Sequence, residues 1–455
     1  MQEERGSEIM SKDQAPPSVP IVATQGGQAA HRKIAADPSV WTDSMLRALD
    51  EGVRGGVWFS LIDKVWTDRN LRSSFGKVSS NGGAPGVDRI SVEEFEQHLE
   101  GNLKDMSEAL RGGSYKPQLI RRVTIPKPGS DDGRPPGIPT VRDRVVQGAV
   151  RHVIEPIFER EFALRSYGFR PGLGCKDALR RVDELVKGGF EYVVDADLKN
   201  FFDTIPHDRL MGRMGERIAD GRLPSLIESF PKAGIMDGTR EWSPETGAPQ
   251  GAVLSPLLSN IYLNPLDHLM AKRGWEMVRY ADDFAILCRS QSEAEQALAF
   301  VVQWCEAEGL SLHPEKTRIV EVRKAGFDFL GYHFQGTSRG RLTRWPRKKS
   351  LGKVKDAVRA KTKRTAGKSL GCIIGELNRT LRGWFEYYKH SCAGSFANLD
   401  GWIRMRLRSL LRRRRGRQGR SRRSDQEAWP NAYFAERGLF DLKKAQALAS
   451  QSPPG

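Results

Sequence analysis

The sequence has few cysteines, and no two of them lie close together. The five cysteines, an odd number, are Cys175, Cys288, Cys305, Cys372 and Cys392. Zinc knuckles need closely spaced cysteine pairs, and disulfide-rich secreted folds need an even set of cysteines. The pattern therefore argues against both classes and favours a reduced, cytoplasmic interior.

Long apolar runs are also missing. A long uncharged stretch, residues 247–266, contains three prolines and two asparagines. A membrane-spanning helix needs about 20 consecutive, mostly apolar residues. The N-terminus begins Met-Gln-Glu-Glu-Arg and lacks the apolar segment of a signal peptide. The sequence therefore predicts no association with a membrane.

Basic residues are abundant and concentrated in one region. The formal net charge is +17, and residues 339–423 contain 27 Lys and Arg against four acidic residues, so the rest of the chain is net negative. A short basic run is usually a solvated face. This density over a domain-sized region favours a polyanionic partner, namely nucleic acid.

Periodicity predicts a mixed order of elements. Residues 1–40 are rich in Gln, Ser, Pro, Gly and Ala without periodicity, which is typical of a disordered leader. We expect helices over about 57–75 and 142–162, strands over 121–126 and 191–198, a hairpin over 278–287, and long helices over 350–366, 370–391 and 398–415. In the last helix, an apolar stripe predicts packing on one side, with guanidinium groups presented on the other.

Acidic residues interrupt two of the predicted strands. Asp195 and Asp197 alternate in Tyr-Val-Val-Asp-Ala-Asp and would point the same way, and Asp282 and Asp283 lie at the tip of the hairpin. Clustered carboxylates repel one another, so such a pair is costly unless a cation neutralises it. Hard oxygen ligands suit Mg²⁺, and acids from two strands can hold two ions about 4 Å apart. For any single aspartate, a turn or a helix cap is the simpler interpretation.

The sequence around these acids resembles reverse transcriptases encoded by bacterial group II introns. The resemblance runs from about Gly83 to beyond Leu442. It is carried by seven blocks in the family's order: Arg134-Pro-Pro-Gly-Ile-Pro139, Ser166-Tyr-Gly-Phe-Arg-Pro171, Asp197-Leu-Lys-Asn-Phe-Phe-Asp-Thr-Ile-Pro-His207, Gly247-Ala-Pro-Gln-Gly-Ala-Val-Leu-Ser-Pro256, Tyr280-Ala-Asp-Asp283, Leu312-His-Pro-Glu-Lys-Thr317 and Phe329-Leu-Gly331.

This resemblance implies an α+β fold, a right-hand polymerase with fingers and palm of reverse-transcriptase type followed by an α-helical thumb and maturase domain. After the leader, we expect fingers with an N-terminal extension over 41–175, the palm over 176–336, and the helical basic domain with its tail over 337–455. The C-terminal blocks that match are Arg382-Gly-Trp-Phe-Glu-Tyr-Tyr-Lys389, Leu399-Asp-Gly-Trp-Ile403, Ala428-Trp-Pro-Asn431 and Gly438-Leu-Phe440.

The resemblance also assigns metal and nucleotide residues. It implies two Mg²⁺ ions bound by Asp197, Asp282, Asp283 and the backbone carbonyl of Leu198. The nucleotide-binding set that it implies is Lys127 and Arg134 on the triphosphate, Phe202 under the sugar, Gln250 beside the incoming nucleotide, and Lys316 as a proton donor to pyrophosphate. Lys316 is nearly as easily interpreted as a surface lysine.

Two further sets complete the expectation. Phe329, Leu330 and Gly331 resemble the turn that grips the primer, although an ordinary strand end is the alternative. Contacts with RNA are predicted for Arg404, Arg408, Arg412 and Arg415, because arginine follows phosphates while neighbouring aromatic rings stack on bases.

The resemblance implies an RNA-directed DNA polymerase that binds its host intron RNA, promotes splicing, and supports mobility by target-primed reverse transcription. The expected partners are the intron RNA template, a DNA primer or target and dNTPs. The enzyme would act as a monomer or homodimer in the bacterial cytoplasm, associated with the nucleoid. No Cys-pair and His cluster of the family's HNH nuclease domain is found, so we expect the primer to come from elsewhere, such as a replication fork.

Departures and alternatives remain. Pro136 stands where the family more often has Leu, and His313 where Asn is common, which affects local geometry but not the acids. Two other functions stay open: an RNA-binding splicing factor with weak polymerase activity, and a reverse transcriptase recruited to host defence or repair without an intron partner. Intact acids argue against the first, and the complete maturase-like region argues against the second.

Overall fold

The computed structural model describes residues 36–53, 56–123, 125–126, 133–134, 136–238, 240–242, 246–247, 250–337, 342–363, 365, 367–417 and 422–451. These residues lie within one compact unit, Ala35–Gly455.

The helices are α1 (Asp43–Glu51), α2 (Ile62–Val65), α3 (Asp68–Asn81), α4 (Val92–Gln97), α5 (Leu99–Gly112), α6 (Val141–Glu159), α7 (Cys175–Lys187), α8 (Phe201–Thr204), α9 (His207–Gly215), α10 (Arg222–Ser229), α11 (Ser255–Lys272), α12 (Gln291–Ala307), α13 (Lys348–Lys361), α14 (Leu370–Tyr388), α15 (Ala393–Arg414), α16 (Arg423–Ala428), α17 (Asn431–Glu436) and α18 (Leu442–Gln451). The strands are β1 (Ile120–Arg122), β2 (Ile125–Pro126), β3 (Gly133–Arg134), β4 (Gly137–Ile138), β5 (Tyr192–Asp197), β6 (Ile235–Asp237), β7 (Arg240–Trp242), β8 (Glu276–Tyr280), β9 (Asp283–Cys288), β10 (Arg318–Glu321), β11 (Phe327–Phe329), β12 (Tyr332–Gly336) and β13 (Leu342–Pro346).

A four-stranded antiparallel sheet in the order β10-β5-β9-β8 holds the acidic residues. Successive side chains of a strand point to opposite faces, so Val193, Asp195 and Asp197 share one face. The register pairs Val193 with Leu287 and Asp197 with Asp283. Val193 and Leu287 are completely buried, so the apolar part of this face anchors the sheet and leaves the acids at one end.

Both faces of this sheet are covered. On the acidic face, the buried core includes Leu179 and Val182 of α7 and Phe327 of β11. The opposite face contacts α12, which packs on β5, β9 and β10, while α11 packs on β8. The strands are therefore rigidly supported, which is what a precisely placed set of side chains requires.

The helices before this sheet form a second packed region around α3 and α6. The Ser74 hydroxyl donates to the Val145 carbonyl over 2.7 Å, and the Asn70 side-chain amide donates to the Ala149 carbonyl over 3.0 Å. The Trp41 indole donates to the His152 carbonyl over 2.8 Å. These bonds satisfy polar groups inside an otherwise apolar contact.

The predicted leader overlaps this packed region. Asp37 accepts hydrogen bonds from Ser73 and Lys77, and Val40 is buried. Burial opposes ionisation of Asp37, but hydrogen bonds from Ser39 and Lys77 and the nearby His152 stabilise the carboxylate, so the pKa of Asp37 is lowered. Packing therefore includes the last residues assigned to the leader, while residues 1–35 lie outside the described residues.

The C-terminal helices pack around a core of their own. Helices α13, α14 and α15 share buried apolar residues with α17 and α18, among them Val358, Leu377, Ile403, Leu407 and Phe434. The three long helices predicted for this region are present, but α13 ends at Lys361 rather than at 366, α14 ends at Tyr388 rather than at 391, and α15 begins at Ala393 rather than at 398. Among the described residues, no helix is both long and apolar enough to cross a membrane.

Candidate active site

Strand register brings two of the predicted metal ligands side by side. Asp197 ends β5 directly opposite Asp283 at the start of β9, and paired residues of an antiparallel ladder have Cβ atoms about 4.5–5.5 Å apart on the same face. Asp282 lies in the two-residue turn between Tyr280 and Asp283, which also pair with each other. The hairpin predicted with its carboxylates at the tip is confirmed.

The electrostatics of this tip are unfavourable without a cation. Loss of hydration and then repulsion from Asp282 and Asp197 raise the pKa of Asp283 to about 6. One positive group already stands beside the cluster, because the Lys316 ammonium lies 2.5 Å from the Asp197 carboxylate. Nearby, burial is the largest cause of the raised pKa of Asp195, which pairs with Arg318. The acids thus form a region of negative potential that attracts cations.

These residues fit a magnesium site that is completed by a substrate. Within the described ranges, no three His, Cys, Asp or Glu side chains are gathered so that they could hold a metal ion by themselves. Mg²⁺ commonly takes only one or two protein carboxylates together with water and substrate phosphates. Paired Asp197 and Asp283, with Asp282 next in the chain, have the chemistry of such a ligand set. Metal binding by them remains a prediction.

The backbone around Asp197 is fixed by the segment that follows α12. The His313 amide donates to the Asp197 carbonyl over 2.7 Å, and the Lys199 amide donates to the Ser311 carbonyl over 2.9 Å. Successive carbonyls of an extended strand point to opposite sides, so the Leu198 carbonyl points away from this segment, toward the β9 side. His313, where the family more often has Asn, anchors Asp197 through its backbone. Metal binding by the Leu198 carbonyl remains a prediction.

Phe202 lies next to Gly247, the first residue of the block that contains Gln250. Phe202 lies in α8 beside buried Phe201 and keeps part of its surface exposed. Gly247 has φ +97°, and a Cβ on it would lie 2.7 Å from the Phe202 carbonyl oxygen. The Gln250 carbonyl accepts from the Gly137 amide over 2.6 Å. The described residues Gly247 and Gln250 of this block therefore contact α8 and β4 respectively.

The side chains of the two residues predicted to hold the triphosphate, Lys127 and Arg134, lie outside the described residues. The backbone of Arg134 lies in β3, where it pairs with Ile125, whereas the backbone of Lys127 is also outside the described residues. Their role remains a prediction.

Two family models match the chain in succession. "Reverse transcriptase (RNA-dependent DNA polymerase)" matches residues 125–334, and "Group II intron, maturase-specific domain" matches residues 351–429. Protein YkfC of Escherichia coli (strain K12) is 34% identical over 340 residues, which are 66% of this chain and 84% of that protein. The chain belongs to the group II intron reverse transcriptase and maturase family. Its enzyme class is therefore RNA-directed DNA polymerase. Enzymes of this class depend on a divalent metal, and the two domains imply binding to RNA and DNA.

Other similarities are partial. Group II intron-encoded protein LtrA of Lactococcus lactis subsp. cremoris is 41% identical over 168 residues, which are 37% of this chain and only 28% of that protein. A solved structure titled "Partial Cas6-RT-Cas1--Cas2 complex" is 25% identical, covers 55% of this chain and 41% of that chain, and has a TM-score of 0.35. A TM-score this low does not bear on function.

In this reverse transcriptase the predicted primer grip is a tight turn between β11 and β12. Leu330 and Gly331 have φ +44° and +84°, and Phe329 pairs with Tyr332 across the turn. The Phe329 ring is buried in the core, so its side chain has a structural role whatever the turn binds. The Tyr387 hydroxyl of α14 donates to the Leu330 carbonyl over 2.7 Å.

Two of the predicted RNA-binding arginines of the maturase domain are buried. Arg408 donates to the Trp429 carbonyl over 2.9 Å and to the Asn431 side chain over 2.8 Å. Arg412 lies 3.2 Å from the Asp425 carboxylate. The prediction of an open basic stripe is wrong for Arg408 and Arg412, because the chain returns over this face of α15 through α16 and α17.

The other two arginines are more accessible. Arg404 is partly exposed and lies 3.6 Å from the Asp441 carboxylate. Arg415 is exposed, with its guanidinium 4.5 Å from the centroid of the Trp429 ring. Arg413 and Arg417 of the same basic run are exposed as well. RNA binding by any of them remains a prediction.

Sequence reasoning missed the residues behind the Asp282–Asp283 turn. Arg279 is completely buried and bonds to Asp267 and Asn260 of α11. A signal was present, since an arginine interrupts the apolar run of β8, and residues 260 and 267 are seven apart, about two helical turns. The loop at Gly168 also packs here, because a Cβ on Gly168 would lie 2.3 Å from the Ala281 nitrogen.

Proposed function

We propose that this chain copies RNA into DNA with two Mg²⁺ ions bound by Asp197, Asp282, Asp283 and the Leu198 carbonyl. The observation that carries the proposal is the register that places Asp197 opposite Asp283, with Asp282 adjacent in the turn. Three acids at the open end of an otherwise buried sheet match the charge of a nucleotidyl-transfer site.

The protein's part in this reaction is to position groups and supply fixed charge. Bound divalent ions supply activation of the primer 3′-hydroxyl and neutralisation of the phosphates. Asp197 would hold an ion, and Lys316, whose ammonium lies 2.5 Å from the Asp197 carboxylate, would be placed to give a proton to the departing pyrophosphate. Phe202 lies below the sugar, and Gln250 lies beside the incoming nucleotide. Catalysis then comes mainly from positioning.

We further propose that the template is the RNA of a host group II intron, and that the basic C-terminal domain promotes the splicing of that RNA and its mobility. Support comes from the match to the maturase-specific domain over residues 351–429 and from the dense positive charge of residues 339–423. The enzyme would work in the cytoplasm with DNA primers and dNTPs. The match to the maturase-specific domain favours this over a role in host defence.

Primer extension on poly(rA)/oligo(dT) with Mg²⁺ tests the polymerase proposal. Radiolabelled dTTP should be incorporated by the purified protein, and EDTA should abolish incorporation because divalent ions neutralise the phosphates that the carboxylates would otherwise repel. The same preparation should bind its intron RNA whether or not it synthesises cDNA. RNA binding without any cDNA would favour the alternative, an RNA-binding splicing factor.

Replacing Phe202 with valine should relax the choice of sugar. A smaller side chain leaves space for a 2′-hydroxyl, so discrimination between dTTP and UTP, measured as the ratio of kcat/KM values, should fall by roughly 10- to 100-fold, which corresponds to about 1–3 kcal/mol. Phe201→Leu is not a suitable control because Phe201 is buried. Exposed Phe59→Val is the matched aromatic substitution away from the site. Unchanged discrimination in the Phe202 variant would remove this residue from the sugar pocket.

A further inference from the structure

The turn that carries Asp282 and Asp283 is held from behind by a buried arginine. Arg279 lies on β8 on the face opposite Tyr280 and is 0% exposed. Its Nε lies 2.8 and 3.0 Å from the two carboxylate oxygens of Asp267. Its Nη1 donates to the Asn260 side-chain oxygen and to the Ala281 carbonyl, each over 2.9 Å. One side chain therefore ties helix α11 to the turn.

The backbone conformation of the turn shows why the hydrogen bond from Arg279 to the Ala281 carbonyl matters. Ala281 has φ +58°, a left-handed conformation that costs a residue with a Cβ about 1 kcal/mol or more. Such a residue persists only where its surroundings fix it. The Arg279 guanidinium binds the carbonyl of Ala281, and the next residue in the chain is Asp282.

A second contact closes the turn from the other side. The Asn260 side-chain amide donates to the Gly168 carbonyl over 2.8 Å, so the same helix residue holds the loop that packs on Ala281. Because the approach of Gly168 to the Ala281 nitrogen leaves no space for a Cβ, the turn is enclosed between this loop and Arg279.

We propose that Arg279, oriented by Asp267 and Asn260, is a positioning residue that fixes the Ala281–Asp282 turn and thereby sets the metal affinity of the acidic site. This inference rests on the proposed two-ion function. Arg279 does not touch the reacting atoms; it acts through the backbone that carries the acids. Groups that orient metal ligands in this way typically change metal affinity or activity by about 10- to 100-fold.

The alternative is that the Arg279–Asp267 ion pair only stabilises the fold and has no effect on metal binding. A buried pair can often be replaced by apolar residues of similar volume with little loss of stability, whereas removal of one partner leaves an uncompensated charge. The informative variant is therefore the double substitution Arg279→Met with Asp267→Leu. Arg279→Lys is the second variant, because lysine keeps the charge but lacks the planar fork that reaches Asp267, Asn260 and the Ala281 carbonyl together.

The experiment measures Mn²⁺ binding by the full chain with primer-template, from the electron paramagnetic resonance signal of free Mn²⁺, together with the Mg²⁺ dependence of cDNA synthesis. The proposal expects the Mn²⁺ dissociation constant and the half-maximal Mg²⁺ concentration to rise by about tenfold or more. The affinity for primer-template should stay unchanged. Arg213→Lys serves as control, since Arg213 is a mostly buried arginine paired with Glu308 over 2.7 Å.

The outcomes are distinct from those that test the function itself. Wild-type protein that makes no cDNA defeats the proposed polymerase function. Wild-type activity combined with unchanged metal binding in a folded Arg279 variant overturns the positioning role alone. If the double variant unfolds, the Mn²⁺ dissociation constant and the Mg²⁺ dependence of cDNA synthesis are measured on Arg279→Lys instead, and they decide whether Arg279 has the positioning role. Unfolding of both variants at the assay temperature would also overturn the proposal, because Arg279 would then support the whole fold.

Discussion

Protein with both Asp282→Asn and Asp283→Asn is expected to make cDNA at least about a thousandfold more slowly than wild type, because neutral amides bind poorly the metal ions that neutralise the phosphates of the transition state. The measurement is dTTP incorporation on poly(rA)/oligo(dT) at saturating Mg²⁺. Affinity for intron RNA should change little, since the basic domain lies elsewhere in the chain.

Stability provides the control for this prediction. The raised pKa of Asp283 means that its ionised form is disfavoured in the folded state, so at neutral pH the charge opposes folding. Removing it should leave the free energy of unfolding unchanged or higher. Asp105→Asn with Asp208→Asn, two exposed aspartates of α5 and α9, should keep wild-type activity. A double variant at 282 and 283 that loses both RNA binding and thermal stability would show that these acids are structural.

Replacing Arg413, Arg414 and Arg417 with glutamine should weaken the affinity for intron RNA by roughly a hundredfold at physiological salt, if each lost contact is worth about 1 kcal/mol. These side chains are exposed at the end of α15. Each phosphate contact releases counterions, so the slope of log affinity against log salt should become shallower by about 2. Filter binding over a series of salt concentrations measures both quantities.

The buried arginines supply the contrast for this experiment. Arg408→Gln and Arg412→Gln should lower the thermal midpoint, because they remove bonds to the Trp429 carbonyl and to Asp425, while leaving the salt slope close to that of wild type. A reduced slope in these variants, with no reduction in the exposed ones, would place the RNA on another surface.

The elements that sequence predicted well have strong local signals. The hairpin around Asp282 was predictable because β-branched and apolar residues flank an acidic tip, and the long C-terminal helices were predictable from their apolar spacing. The register that sets Asp197 opposite Asp283 was expected only through the resemblance to the family. Alternation along one strand says nothing about which strand lies beside it.

The parts that were missed depend on long-range packing. The burial of Arg408 and Arg412 follows from the return of α16 and α17, and the spacing within α15 contains no information about that return. Arg279 was overlooked for the same reason. Its partners Asn260 and Asp267 lie on α11, whose hydrophobic pattern predicts a buried helix but gives no sign of polar partners. A charged residue within a buried strand is the general signal that such partners exist.

The tyrosine contact at the turn between β11 and β12 has a thermodynamic consequence. Tyr387 lies in α14, within the maturase-specific domain, yet its hydroxyl is bonded to the Leu330 carbonyl. The Tyr332 hydroxyl in turn donates to the Tyr387 carbonyl over 2.6 Å. If the turn grips the primer as predicted, an RNA that shifts α14 is expected to shift the turn as well. Linkage then requires that the factor by which this RNA changes the affinity for the primer equals the factor by which the primer changes the affinity for the RNA.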